Sequence, residues 1–215
     1  MKVFLEWLSL GAARWLLRPV LRLSLRYVDV EDPWEPTDRP VRFWALGAGS
    51  VKRFSWYFEG ESSVRISFID ELCDWLLGCE QVTDPDLFHE ADYWQHPSTF
   101  EQLRKGDCED FALWAWRKLS EMGIEARFFT GRRADAPADS WHAWVVYRMD
   151  SVDYLLESIA PSRQEMLRLL EDVRSQYIPH FSVGKDFRPQ AYGGYLLYLK
   201  EGGLRAKEAV PPTIG

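Results

Sequence analysis

The sequence predicts an α+β domain. Three patterns carry that prediction: a helical period of apolar residues from Phe68 to Leu77, a second one after Asp107, and three successive strand-like runs between Ile124 and Ser158. A chain of 215 residues with 47% apolar and 27% charged residues can bury one core, so one compact domain with terminal additions is expected. The net charge of −7 excludes general nucleic-acid binding, because neutralising a phosphate backbone takes a clustered excess of Lys and Arg. Three cysteines at irregular spacing leave at least one thiol free and make no disulfide framework, so a reducing, cytoplasmic setting is expected.

Val3 to Leu25 is rich in Leu and Trp, but Glu6, Arg14, Arg18 and Arg22 interrupt it, so neither a signal peptide nor a membrane span is expected. Arg14, Arg18, Arg22 and Arg26 recur every four residues and form one stripe of a basic amphipathic helix. Trp7, Leu8, Trp15, Leu16 and Leu23 cover much of the rest, and Pro19 kinks it. Such a helix docks on its own domain, or lies on a membrane surface or a partner and makes the protein membrane-peripheral. Pro33, Pro36 and Pro40 read as an extended connection. The chain thus divides into a helix and connection over 1–40, a domain over 41–200 and a flexible tail over 201–215.

Within the domain, Ser67 is the expected N-cap of the first core helix and Gly78 its stop. Cys73 and Cys79 read as packed thiols. Thr83 to Thr99, with Pro85 and Pro97, reads as loop. A second helix is expected to begin at Asp107 as N-cap, with Cys108, Glu109 and Asp110 in its first turn, and to stop at Gly123. Strands follow at Ile124–Thr130, Trp141–Tyr147 and Val152–Ser158, the last two joined by a tight turn at Asp150 and Ser151. After Pro161 comes an expected amphipathic helix through Met166, Leu169, Leu170 and Val173. The aromatic run Tyr192–Leu199 reads as a further strand.

The chemistry concentrates at Cys108. A thiol attacks as its thiolate, and the amino end of a helix supplies free N–H groups and positive dipole that favour the anion and could bind an oxyanion. A two-residue turn at Asp150 and Ser151 pairs Met149 with Val152. In that register His142 and Glu157 share a sheet face, one pair apart. Nucleophile, base and orienting carboxylate are the roles that covalent acyl transfer requires. Trp94 and Gln95 carry N–H groups suited to an oxyanion. A zinc site is disfavoured by the absence of Cys-x-x-Cys spacing. Against the thiolate stand Asp107, Glu109 and Asp110. At about 6 Å and an effective dielectric near ~20, each would oppose it by roughly 2–3 kcal/mol unless it is capped, paired with Arg104 or Lys105, or bound to a cation.

Tyr93-Trp94-Gln95, then Gly106-Asp107-Cys108-Glu109-Asp110-Phe111-Ala112, then His142-Ala143-Trp144 and a later acidic residue resemble the transglutaminase-like cysteine peptidase superfamily, especially its bacterial branch. The resemblance runs from Thr83 to Pro161. It implies a papain/transglutaminase-like core, with the cysteine helix packed on an antiparallel sheet and Cys108, His142 and Glu157 at the triad positions. It further implies a protein or peptide substrate and hydrolysis, or acyl transfer, through a thioester. Where this family usually has Asp, Glu157 stands. That departure and the crowded acids favour the alternative of a catalytically silent binding module. Thiol and imidazole chemistry requires no cofactor. Some periplasmic relatives bind calcium beside the cysteine, and by resemblance Asp107 and Glu109 would be its ligands.

Overall fold

The structure is a computed structural model that describes residues 29–38, 52–137 and 140–201. The basic helix expected over Val3–Leu25 and nearly all of the tail lie outside the described residues. Seven strands form one antiparallel sheet in the spatial order β1 (Pro36–Thr37), β9 (Pro189–Tyr192), β8 (Tyr177–Val183), β4 (Glu125–Arg133), β5 (His142–Met149), β6 (Val152–Leu156) and β7 (Leu167–Leu169). A separate parallel pair joins β2 (Glu80–Gln81) to β3 (Lys105–Gly106). Among the described residues no helix is long and apolar enough to cross a membrane.

The pleat of β5 explains the fold's two layers. Ala143, Val145 and Tyr147 face a core that holds Phe111, Trp114, Trp116 and Leu119 of helix α4 (Cys108–Glu121). Helix α1 (Ile69–Leu77) adds Leu72, Cys73 and Leu76 to that core. His142, Trp144 and Val146 alternate to the other face, where Phe129 stacks on Trp144 at 5.8 Å and Tyr177 and Tyr192 complete a second cluster. Because both faces are covered, β5 reads as a nearly unbroken apolar run. Within the stretch read as a Pro-rich connection, β1 pairs with β9, and the Trp34 ring sits 5.5 Å from Phe129.

Two cations inside α4 hold the irregular segment before α1. Arg117, buried, donates to the carbonyls of Tyr57, Glu59 and Gly60 at 3.2, 3.1 and 2.7 Å. Lys118, also buried, donates to Val64 O at 2.6 Å and pairs with the buried Glu101 at 3.1 Å. These acceptors give hydrogen-bond partners to two buried cations, whose burial without them would be costly.

Several local expectations change in the folded chain. The N-cap of α1 is Phe68, with no side-chain bond, because Glu71 Oε2 takes the Ser67 N–H at 2.8 Å. The expected loop Thr83–Thr99 contains helices α2 (Asp84–Leu87) and α3 (Pro97–Leu103), each opened by a proline whose missing N–H costs nothing in a first turn. The helix expected after Pro161 is broken into α5 (Arg163–Met166), strand β7 and α6 (Leu170–Val173), because the edge of β6 captures Leu167–Leu169 as a paired strand. The aromatic run read as a strand is helix α7 (Gly193–Lys200), and the strand ends before it at Tyr192. Cys73 is buried within α1. Cys79, half-buried, contacts Trp75 O at 3.4 Å.

Candidate active site

Gly106, Asp107 and Asp110 together fix the backbone around Cys108. Asp107 is the N-cap of α4 and forms a capping box with Asp110, whose Oδ2 accepts the Asp107 N–H at 3.4 Å. A Cβ at position 106 would overlap the Asp110 carboxylate and the Gln95 amide, so only glycine fits there. Cys108 is thereby set at the first helical position, where its own N–H has no intrahelical acceptor.

The hairpin register follows the predicted pairing. Met149 stands opposite Val152, Asp150 and Ser151 both have positive φ, and the ladder runs to Val145 opposite Leu156. Glu157 follows at the end of the strand, where its N–H donates to Met166 O at 2.9 Å. Its Oε2 accepts from His142 Nε2 at 2.8 Å. A carboxylate only accepts, so Nε2 carries the proton and Nδ1 is left as the basic nitrogen. The imidazole packs beside the rings of Trp144 and Tyr177, with centroids at 6.0 and 6.4 Å.

Cys108 and His142 line one cleft of about 270 Å³ with Trp94, Trp141, Asp84 and Asp92. The Cys108 thiol donates to Glu109 Oε2 at 3.4 Å, and the backbone of Ala143, next to His142, favours the sulfur's anion, but burial outweighs this. Burial first, then the charges of Glu109 and Asp107, push the Cys108 thiol well above its ordinary range. A bulge helps shape the wall opposite. The β4–β8 register shifts between Thr130 and Gly131, and Gly131 pairs with His142 where any side chain would strike Ile178 O and the Trp144 ring.

The two oxyanion candidates are otherwise engaged. The Trp94 indole donates to Asp92 Oδ1 at 2.9 Å, although its ring lines the cleft. The Gln95 amide donates to Lys105 O at 2.9 Å and to Asp110 Oδ2. Arg104 and Lys105 do not neutralise the acids. Arg104 bonds Trp75 O at 3.2 Å, and Lys105 pairs with Glu80 at 2.7 Å.

Beside the sulfur, Asp84, Asp107, Glu109 and Asp110 each bring a carboxylate oxygen within 4.8 Å of the others. Burial and mutual repulsion push all four carboxyls above their usual range, Asp84 to about 6. Among the described residues Asp84 Oδ1, Asp107 Oδ1 and Glu109 Oε1 are buried and have no hydrogen-bond partner. Hard oxygen donors, excess negative charge and unsatisfied lone pairs fit a divalent cation such as calcium. Asp107 and Glu109 are thus joined by Asp84 and Asp110. Asp84 was hidden in the segment read as loop, and its one sequence signal is the acidic-proline start Thr83-Asp84-Pro85. Tyr177, which donates to Glu157 Oε2 at 2.8 Å, had none.

In this α+β fold a cysteine at a helix start shares one cleft with a sheet-borne imidazole that is bonded to a carboxylate. Residues 76–180 match the family described as Bacterial transglutaminase-like cysteine proteinase BTLCP. Among solved structures it is similar to Legionella pneumophila LapG, with 21% identity over 54% of this chain and 63% of that one, at a TM-score of 0.42. The calcium-bound form of that protein aligns at 19% identity over 61% of this chain and 77% of that one, also at 0.42. A candidate cysteine protease from Cytophaga hutchinsonii aligns at 12% identity over 72% of this chain and 61% of that one, at 0.36. The aligned region thus spans just under two thirds of the first LapG chain. No curated protein matches the chain.

Proposed function

We propose that the domain cleaves a peptide or amide bond in a protein substrate through a thioester on Cys108, with His142 as base and Glu157 as its orienting carboxylate. The observation that carries this reading is the 2.8 Å bond from His142 Nε2 to Glu157 in a cleft shared with Cys108. His142 Nδ1 takes the thiol proton, the sulfur attacks the carbonyl carbon, and the imidazolium returns the proton to the departing amine. Water, or an acceptor amine, then releases the acyl group. The Cys108 N–H is the oxyanion donor nearest the sulfur along the chain.

The test is turnover of a peptide-amide library by wild type and Cys108→Ala. Turnover is expected to fall at least roughly a thousandfold in the variant, because nucleophile and base act as a unit. Wild-type Cys108 is also expected to react with iodoacetamide faster than a small-molecule thiol. No turnover, together with slow alkylation, would favour the silent binding module, to which the thiol's crowding by Glu109 and Asp107 already gives support.

The same reading assigns the acid cluster to calcium, held by Asp84, Asp107, Glu109 and Asp110. Its positive charge would offset the carboxylates that oppose the thiolate. A cation bound only by the folded chain at about 100 times its Kd adds about 2.7 kcal/mol, or roughly 5–10 °C in melting temperature for a domain of this size. Calorimetry with millimolar calcium and with chelator should read that difference, and Asp84→Asn should reduce it. Identical melting curves would remove the metal from the proposal.

A further inference from the structure

Tyr177 opens β8 and is buried, with its phenol aimed at the end of β6. Its hydroxyl donates to Glu157 Oε2 at 2.8 Å, to the same oxygen that accepts from His142 Nε2. The phenol oxygen in turn accepts from Arg133 Nη1 at 3.2 Å, and the Arg133 guanidinium lies 5.2 Å from the centre of the Tyr177 ring. The other carboxylate oxygen, Glu157 Oε1, is buried and has no hydrogen-bond partner among the described residues. The polar side-chain bonds that orient this carboxylate therefore converge on one oxygen and come from two donors.

We propose that Tyr177 is a positioning residue that fixes the Glu157 carboxylate, and through it the tautomer and direction of the His142 ring. The inference rests on the reading of Cys108, His142 and Glu157 as a catalytic triad. A glutamate has one more rotatable bond than the aspartate usual at this place, and that extra freedom would blur the carboxylate's aim. A second donor on the same oxygen removes it. Burial and the Glu157 charge both raise the phenol's pKa, which keeps the hydroxyl a donor throughout the neutral range. The ring also packs 5.0 Å from Trp144, a contact that phenylalanine preserves. Tyr177→Phe thus removes the hydroxyl and leaves the packing.

The deciding measurement is the pair of ring ¹⁵N shifts of His142, with wild type compared against Tyr177→Phe. Wild type should show one tautomer, protonated at Nε2, and the variant should move toward a mixture. Alkylation of Cys108 by iodoacetamide, followed on its own peptide by mass spectrometry, should slow roughly tenfold, the loss of one hydrogen bond to a charged group. In a Glu157→Ala background the same substitution should cost nothing further. Unchanged ring shifts, or an equal cost in both backgrounds, would overturn the assignment. If wild-type Cys108 reacts no faster than a small-molecule thiol, the triad reading fails, while the ring shifts still decide the role of Tyr177. Should Tyr177→Phe not fold, a ring-fluorinated tyrosine at this position, a stronger donor of nearly the same shape, must move the His142 Nε2 resonance, and no movement would count against it.

Discussion

Glu101→Gln is expected to lower the melting temperature by roughly 10 °C at neutral pH, the consequence of removing one partner from a buried ion pair at a cost of about 3–5 kcal/mol. The Glu101 and Lys118 side chains are each 1% exposed and lie 3.1 Å apart. Glu101 also accepts from Ser62 Oγ at 2.5 Å, Ser63 N at 2.8 Å, Ser63 Oγ at 2.9 Å and Trp114 Nε1 at 3.0 Å. Burial alone would raise its pKa, but the hydrogen bonds from Ser62, Trp114 and Ser63 outweigh it and hold the carboxyl at about 2, below its ordinary 4.5. A folded-state pKa below the unfolded one contributes stability above the unfolded value and loses it as pH falls toward the folded one. Here that contribution is about 3 kcal/mol, present above pH ~4.5 and lost toward pH ~2. The gap between wild type and Glu101→Gln, followed by circular dichroism, should therefore narrow through that window, since protonated Glu101 resembles the amide. A variant that melts within ~2 °C of wild type at pH 7 would mean the network contributes little.

The parts of the fold that sequence reveals are those decided within a few residues. The α4 start is legible because Asp107 and Asp110 cap each other across three positions. The β5–β6 register is legible because Asp150 and Ser151 make the shortest turn that a hairpin uses. Distant partners decide the rest. β8 lies inside the sheet although it contains Pro179, which argues against an interior strand. The bulge after Thr130 sets Pro179 opposite Gly131, where the regular ladder is interrupted. Residues 167–169 have a helical pattern, yet the open edge of β6 satisfies their backbone as strand.

The candidate site divides along the same line. Local rules set Cys108 at a helix start and bring His142 and Glu157 together on one hairpin. Tyr177 reaches Glu157 from a strand two places from β5, and Asp84 reaches the acids from a two-proline segment read as loop. Neither carries a local pattern that names its partner. Gln95 had the right chemistry for an oxyanion, but its choice between that task and capping Asp110 is made only when Gly106 lets the two approach.

Glu157→Gln is expected to reduce kcat/KM by roughly a thousandfold or more, the scale on which wrong-tautomer variants of acyl-transfer triads fall. The amide has two ways to sit. With its oxygen at the place of Oε2 it still accepts from His142 and Tyr177, but the NH₂ then occupies the place of Oε1, which is buried and without a partner among the described residues, and the imidazolium loses its counter-charge. Turned over, the NH₂ faces Nε2 and the Tyr177 hydroxyl. His142 must then protonate at Nδ1 and can no longer accept the thiol proton. Glu157→Asp keeps the charge but withdraws the carboxylate by roughly 1–1.5 Å, so two bonds now at 2.8 Å cannot both persist. Its expected loss is roughly tenfold, although aspartate is the residue usual for the family. Steady-state kinetics on any Cys108-dependent amide substrate ranks the two variants. An Asp variant at least as fast as wild type would mean that the site is not fitted to glutamate, because the reach of the longer side chain is what lets one oxygen serve both His142 and Tyr177.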